Sequence, residues 1–217
     1  ALYDGEIRWT DSQLDRLLGA LERRRGGGER TIVSLTADHG EEFFEHGKKG
    51  HRKTLFEESV RVPWIVRFPG RVPPGTRIGG VVSLEDVAPT LLDLMGVEPL
   101  PEATGRSLAG FLTGQTEGVP ETPVLLNHVR WTAMRGSNWK LLVDVNGRSA
   151  RIYDLDEDPH ELRPLSGEKV AAGRLRDLEQ RMRRDSEIRA GMRWGEPAEV
   201  DIDGATRERL RELGYIE

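Results

Sequence analysis

Thr31-Ile32-Val33-Ser34-Leu35-Thr36-Ala37-Asp38-His39-Gly40-Glu41-Glu42, followed by Gly50-His51-Arg52-Lys53, is the stretch from which the rest of this 217-residue chain is read. Ile32 to Leu35 is short, apolar and β-branched, which predicts a buried strand. Asp38 and His39 then stand where that strand ends, and in open α/β sheets the crevice beyond the carboxyl ends of the strands is where ligands bind. A carboxylate beside an imidazole, with a glycine next that lets backbone come close, can hold a divalent cation through one oxygen and one nitrogen. An aspartate after a strand can equally cap a helix or shape a turn, and Asp-His-Gly alone is a common tripeptide. The following loop adds weight. Glu41, Glu42, Glu45, His46, Lys48, Lys49, His51, Arg52 and Lys53 crowd together before Leu55-Phe56, a mix of charge that suits a metal-bound anionic substrate.

Upstream, Leu2, Ile7, Leu14, Leu17, Leu18 and Leu21 recur at helical spacing and predict one amphipathic helix. Arg23-Arg24-Arg25 complement its dipole, and Gly26-Gly27-Gly28 stop it. Downstream, Val62 to Phe68 reads as a second buried strand, with Pro63 at its start and Pro69-Gly70 at its end. Glu57, Glu58 and Arg61 just before it have two open roles, touching substrate or fixing the loop. Ser83 with Asp86 three residues on is close to a capping box, and Val87, Leu91, Leu92 and Met95 form a helical face that Gly96 ends. Pro89 falls in the first turns, where it costs least.

The stretch from Pro99 to Pro123 is rich in Gly, Pro, Thr and Glu and reads as a connector around the apolar piece Leu108 to Leu112. Beyond it, Val124 to His128, Trp131 to Arg135, Trp139 to Val145 and Arg151 to Leu155 are strand-like. Gly136-Ser137-Asn138 and Asn146-Gly147-Arg148 are hairpin signals between them, so a small antiparallel sheet is expected. Asp154, Asp156, Glu157 and Asp158 lack the central glycine and terminal glutamate of an EF-hand loop and read as a turn. Glu168 to Arg189 predicts an arginine-rich amphipathic helix with a solvated face, and Ala205 to Leu213 a final short helix stopped by Gly214.

With 36% hydrophobic residues, the chain can build one core and a small appendage. Charged residues make up 32%, yet the net charge is only −5, which indicates no nucleic-acid partner and no acidic tail. Cysteine is absent, so there is no disulfide and the compartment stays undetermined. No apolar run is long enough for a membrane span. Because Ala1 opens the chain inside a helical pattern, a fragment or processed piece is expected, with its native C-terminus present.

The order of residues 36–42, then Glu45-His46-Gly47, Gly50-His51 and Thr54 to Gly70, resembles the sulfatase branch of the alkaline phosphatase superfamily. The resemblance runs on through Val82 to Val97, Gly105 to Leu108, Trp139 to Leu142, Ile152 to Leu155, Asp158 to Glu161 and Leu210 to Tyr215, and matches the C-terminal half of such an enzyme. It implies an α/β fold, a mostly parallel sheet flanked by helices, with a small C-terminal antiparallel subdomain and terminal helices. Residues 1–121 would belong to the catalytic domain and residues 122–217 to the subdomain. It further implies that Asp38 and His39 are the second pair of metal ligands, calcium first, with manganese or zinc the alternative, since His39 stands where many sulfatases have asparagine. His51, aided by Lys53 or Arg52, would contact the substrate anion as a catalytic group. The formylglycine nucleophile is made from a Cys/Ser-x-Pro-x-Arg motif that this chain lacks, so the missing N-terminal half would supply it. Three functions follow: part of a sulfuric ester hydrolase acting on a sulfate ester or other anionic substrate; part of a phosphodiesterase, phosphonate hydrolase or phosphoryl transferase of the same superfamily; or a non-catalytic module.

Overall fold

The computed structural model describes residues 2–24, 28–51, 54–119, 121–144, 149–165, 173, 176–178, 180–184, 187 and 203–212. The chain divides into two compact units, Ala1–Arg183 and Arg184–Glu217.

The first unit opens with helix α1 (Leu2–Arg23), as the spacing predicts, but none of its residues is buried and Leu2, Ile7, Trp9 and Leu17 are all exposed. Strand β1 (Val33–Thr36) pairs antiparallel with β4 (Trp64–Arg67), from Val33 opposite Arg67 to Thr36 opposite Trp64. Trp64 Nε1 donates to Ser34 Oγ at 3.0 Å across that pair. Between them lie the short hairpin β2 (Glu42–Phe43) and β3 (Lys49–Gly50), and the single turn α2 (Glu57–Val60).

Every strand pair among the described residues is antiparallel, so the parallel strands of the expected sheet are not among them. The physical reason lies in the connection. A parallel neighbour needs a crossover, commonly a helix of several turns, whereas the chain returns from β1 to β4 through a hairpin and one turn.

After β4, the predicted capping box is present: Ser83 Oγ accepts from the Glu85 N–H at 3.2 Å and Asp86 Oδ2 from the Ser83 N–H at 2.9 Å. It leads through a 3₁₀ turn (Leu84–Asp86) into α3 (Val87–Met95), which Gly96 ends in the left-handed region at φ 70°. The connector contains one further turn, α4 (Ala109–Leu112).

Strands β5 (Val124–Asn127), β6 (Trp131–Arg135), β7 (Trp139–Asp144) and β8 (Ala150–Asp154) make an antiparallel meander in sequence order. Successive side chains take opposite faces. Ala133, Leu142 and Tyr153 face Leu55 and Phe56, while Met134, Leu141 and Ile152 face Leu178. The loop that carries the sequence motif therefore packs on one side of this sheet, and the helical residues around Leu178 on the other. The second unit contains α5 (Gly204–Glu212), capped by Asp203, whose carboxylate accepts from the Thr206 N–H at 2.8 Å and from the Thr206 hydroxyl at 3.0 Å. Those bonds hold the Asp203 carboxyl below its usual range. The Asn146-Gly147-Arg148 hairpin and the Gly214 stop lie outside the described residues.

Candidate functional site

Three of the four predicted site residues are described, and they lie together; Lys53, like Arg52, lies outside the described residues. Asp38 follows β1 by two residues and folds back on its neighbour, Oδ1 accepting from the His39 N–H at 3.0 Å. His39 Nδ1 lies 2.9 Å from the Gly40 carbonyl oxygen. A carbonyl can only accept, so Nδ1 carries the proton and Nε2 of a neutral ring presents its lone pair.

That Nε2 is buried, finds no hydrogen-bond partner among the described residues, and lies 3.6 Å from Asp38 Oδ2. Around that shielded atom the site is open, the His39 side chain being 31% and the Asp38 side chain 70% exposed, and an imidazole lone pair beside a carboxylate oxygen attracts a shared positive charge. A proton on Nε2 would satisfy them, and so would a divalent cation shared by nitrogen and carboxylate. The donor set fits a cation, and the Nδ1 hydrogen bond to a backbone carbonyl is the support that metal-bound histidines commonly have. Among the described residues, no three His, Cys, Asp or Glu side chains converge as a complete metal site. Asp38 and His39 offer two donors, short of a complete metal site.

His51 stacks on His39, ring centroids 4.2 Å apart and planes inclined at 25°. Its Nδ1 faces Glu41 Oε2 at 3.3 Å, which directs the other ring nitrogen away from Glu41. The two imidazoles thus share one small region.

Part of what holds this arrangement is legible in the sequence, where Gly40 is expected to let backbone come close; the side-chain contacts beyond it are not. Gly40 donates its N–H to the Ser59 carbonyl at 2.9 Å, and a Cβ on Gly40 would lie 2.0 Å from the Glu58 carbonyl oxygen. Only glycine fits against that turn. Glu42 is fully buried and accepts from the Lys48 N–H at 3.0 Å and the Thr54 hydroxyl at 3.2 Å, closing the β2–β3 loop on itself. His46 stacks on Phe56 at 3.5 Å and faces Glu58 at 3.3 Å. Burial pushes the His46 imidazole below its ordinary range, despite the carboxylates of Glu161, Glu42 and Glu45, and pushes the Glu58 carboxyl up.

The turn α2 is in turn fixed to the C-terminal sheet. Lys140 on β7 is completely buried, its Nζ 2.9 Å from both Glu57 Oε1 and Glu161 Oε1. Glu161 Oε2 accepts from the Glu57 N–H at 2.6 Å, and Arg135 lies 3.4 Å from Glu57. Burial would raise Glu57, but Lys140 and Arg135 outweigh it and hold its carboxyl below the usual range; burial wins at Glu161, which is pushed up despite Lys140. Of the two roles open to Glu57 and Glu58, the structure shows them in contacts that fix the loop. Lys140 and Glu161 lie in stretches that carry the resemblance, but nothing in their local sequence signals that they pair.

The family model described as Sulfatase matches residues 1–97. Arylsulfatase K from Xenopus laevis is 29% identical over 199 residues, covering 84% of this chain and 36% of that protein. A solved protein in complex with its substrate D-glucosamine-2-N,6-O-disulfate is 26% identical with a TM-score of 0.73, covering 90% of this chain and 41% of its own. The phosphonate monoester hydrolase of Agrobacterium radiobacter is 26% identical with a TM-score of 0.69, over 86% of this chain and 41% of that one. The chain spans about a third of the length of the curated relatives it matches.

Proposed function

The chain belongs to the sulfatase family, and from that premise we propose that it is the C-terminal part of a metal-dependent sulfuric ester hydrolase, supplying half of the metal shell and contacts to the substrate anion. The observation that carries this is His39: Nδ1 committed to the Gly40 carbonyl, Nε2 shielded and without a hydrogen-bond partner among the described residues, beside Asp38 Oδ2. Asp38 and His39 would hold the cation, which when bound polarises the ester oxygens. His51, stacked on His39, is placed to donate from its ring to an oxygen of the same anion, with Lys53 or Arg52 assisting. Calcium is our first assignment by family, while the imidazole donor is what favours zinc or manganese. The formylglycine nucleophile and the remaining ligands belong to the segment that relatives have and this chain does not span.

The fold reading completes in the same way. A two-stranded ribbon is marginal by itself. We therefore place β1 and β4 in a larger, mostly parallel sheet whose other strands come from that segment, with residues 1–121 in the catalytic domain and 122–217 as subdomain.

The second reading, a phosphonate or phosphate ester hydrolase, rests on the imidazole at 39 and on the likeness to the phosphonate monoester hydrolase. Metal content and turnover of aryl sulfates and phosphonate monoesters, measured on full-length variants, test both. Asp38→Ala should lose metal and activity together, whereas His51→Ala should keep the metal and lose about two to three powers of ten in rate. Stoichiometric metal in Asp38→Ala, or full activity in His51→Ala, removes the residue concerned from the site; phosphonate turnover without sulfate turnover selects the second reading.

A further inference from the structure

A cavity lies between the loop that carries the candidate metal centre and the C-terminal sheet, and no step above uses it. Its volume is about 260 Å³, at the small end for ligand pockets and near the size of one sugar ring. Three cations line it: Lys48 from the β2–β3 loop, Arg130 just before β6 and Arg151 on β8. Phe56, Trp131 and Leu142 form its apolar wall.

The two guanidiniums are held rather than loose. Arg130 and Arg151 both sit over the Trp131 ring, at 5.6 and 5.9 Å from its centroid. A cation over an indole face is attracted by the ring, and the stack restrains a side chain that would otherwise sample many rotamers. Yet bringing two guanidiniums to one ring, with a lysine on the same cavity, sets like charges against each other. Asp144 answers Arg130 at 3.7 Å; Lys48 and Arg151 have no acidic partner within 4.0 Å among the described residues. No carboxylate is among the residues that line the cavity. His46 lines it too, as an imidazole whose neutral form burial favours, so it adds neither a fixed positive charge nor a competing anion. Uncompensated positive charge beside an apolar wall, in a cavity of one ring, is the complement of a ring that carries an oxyanion.

We propose that the Lys48–Arg130–Arg151 cavity is an anion subsite that takes a monosaccharide unit bearing a carboxylate or a sulfate, a unit of the substrate other than the one whose ester is cleaved. The sugar's C–H face lies on the wall of Phe56, Trp131 and Leu142, and its oxyanion accepts from the two guanidiniums. The link to a substrate rests on the sulfatase reading; binding in the cavity does not.

The test is therefore a binding experiment that needs no turnover. The full-length protein with Asp38→Ala, in chelator so that the candidate metal centre is silent, is titrated with glucose 6-sulfate, glucuronate, glucose and inorganic sulfate. The indole N–H signal of Trp131, assigned by its loss in Trp131→Phe, is followed by NMR. Glucose 6-sulfate or glucuronate should shift it saturably, glucose should not, and Arg130→Gln/Arg151→Gln should weaken the acidic sugar at least about tenfold. Both arginines are exposed, but Arg130 pairs with buried Asp144 and Arg151 hydrogen-bonds buried Tyr153, so an unchanged melting temperature and backbone amide spectrum of the double variant are required alongside the titration. Saturation by the sulfate sugar alone, or by the carboxylate sugar alone, decides which oxyanion the cavity takes. No saturable shift, or equal affinity in the double variant, overturns the proposal; inorganic sulfate binding as tightly as glucose 6-sulfate overturns the sugar. Failure of sulfate-ester turnover in the unmutated protein, with this binding intact, would sink the sulfatase reading and leave the subsite standing.

Discussion

Gly40 sits at the point where a small change has the largest local effect. A methyl there meets the Glu58 carbonyl oxygen at 2.0 Å, so Gly40→Ala must push β1's exit away from α2 and carry Asp38 and His39 with it. We expect a loss of about 1–3 kcal/mol in stability, from overpacking against backbone, together with loss of bound metal; calorimetry and metal analysis of the variant read the two effects. His46 sets a pH dependence. Its folded imidazole lies below the unfolded value of about 6.5, so the unfolded state binds the proton more readily as pH falls. Stability from a neutral His46 is thus present above pH about 6.5 and lost as pH falls toward the folded value. Melting temperature should drop across that window, and His46→Gln should flatten the drop; an unchanged slope would remove His46 as its origin.

At the scale of elements, the joint between α2 and β7 is made of buried charge. Lys140 lies between Glu57 and Glu161 with no exposure, and an ion left without its partner in such a place is costly. Lys140→Met should cost about 3–5 kcal/mol, whereas adding Glu161→Leu to it should restore part of that loss because one stranded carboxylate goes too. Chemical denaturation of the two singles and the double gives the coupling. This joint also shows where sequence runs out. Strands β6 and β7 were readable from Trp131 to Arg135 and from Trp139 onward because hydrophobic residues and turn glycines mark them. Nothing in Trp139-Lys140-Leu141 distinguishes a lysine aimed at two carboxylates from one in water, since their separation along the chain is long and the pairing is decided by the fold. Asp38 and His39, by contrast, are adjacent, and their closeness could be read directly.

For the whole molecule, the exposed face of α1 marks what the chain spans. The spacing of Leu2, Ile7, Leu14 and Leu17 predicts an amphipathic helix, and the helix is there, but no residue on it is buried. The parallel strands implied by the resemblance are likewise not among the described residues: periodicity reports that a face seeks cover, not what covers it. Residues 1–217 alone should therefore turn over neither aryl sulfates nor phosphonate monoesters at an enzyme's rate, because they contain no Cys/Ser-x-Pro-x-Arg motif and, on the proposed assignment, only two metal ligands. They should also bind calcium, zinc or manganese only weakly, as two protein ligands do. Robust turnover by the purified chain would show that the catalytic parts have been misassigned.

The Glu57 to Glu161 hydrogen bond closes a span of 104 residues, and this gives the protein a timetable as well as a joint. At about 5–20 residues per second, a ribosome needs roughly 5–20 s to add the lysine and glutamate that secure α2 after α2 itself has been made. Through that interval the acidic and basic loop around His51 has emerged without its latch. Asp38 and His39 are then made before the turn that Gly40 packs against has been fixed to the sheet.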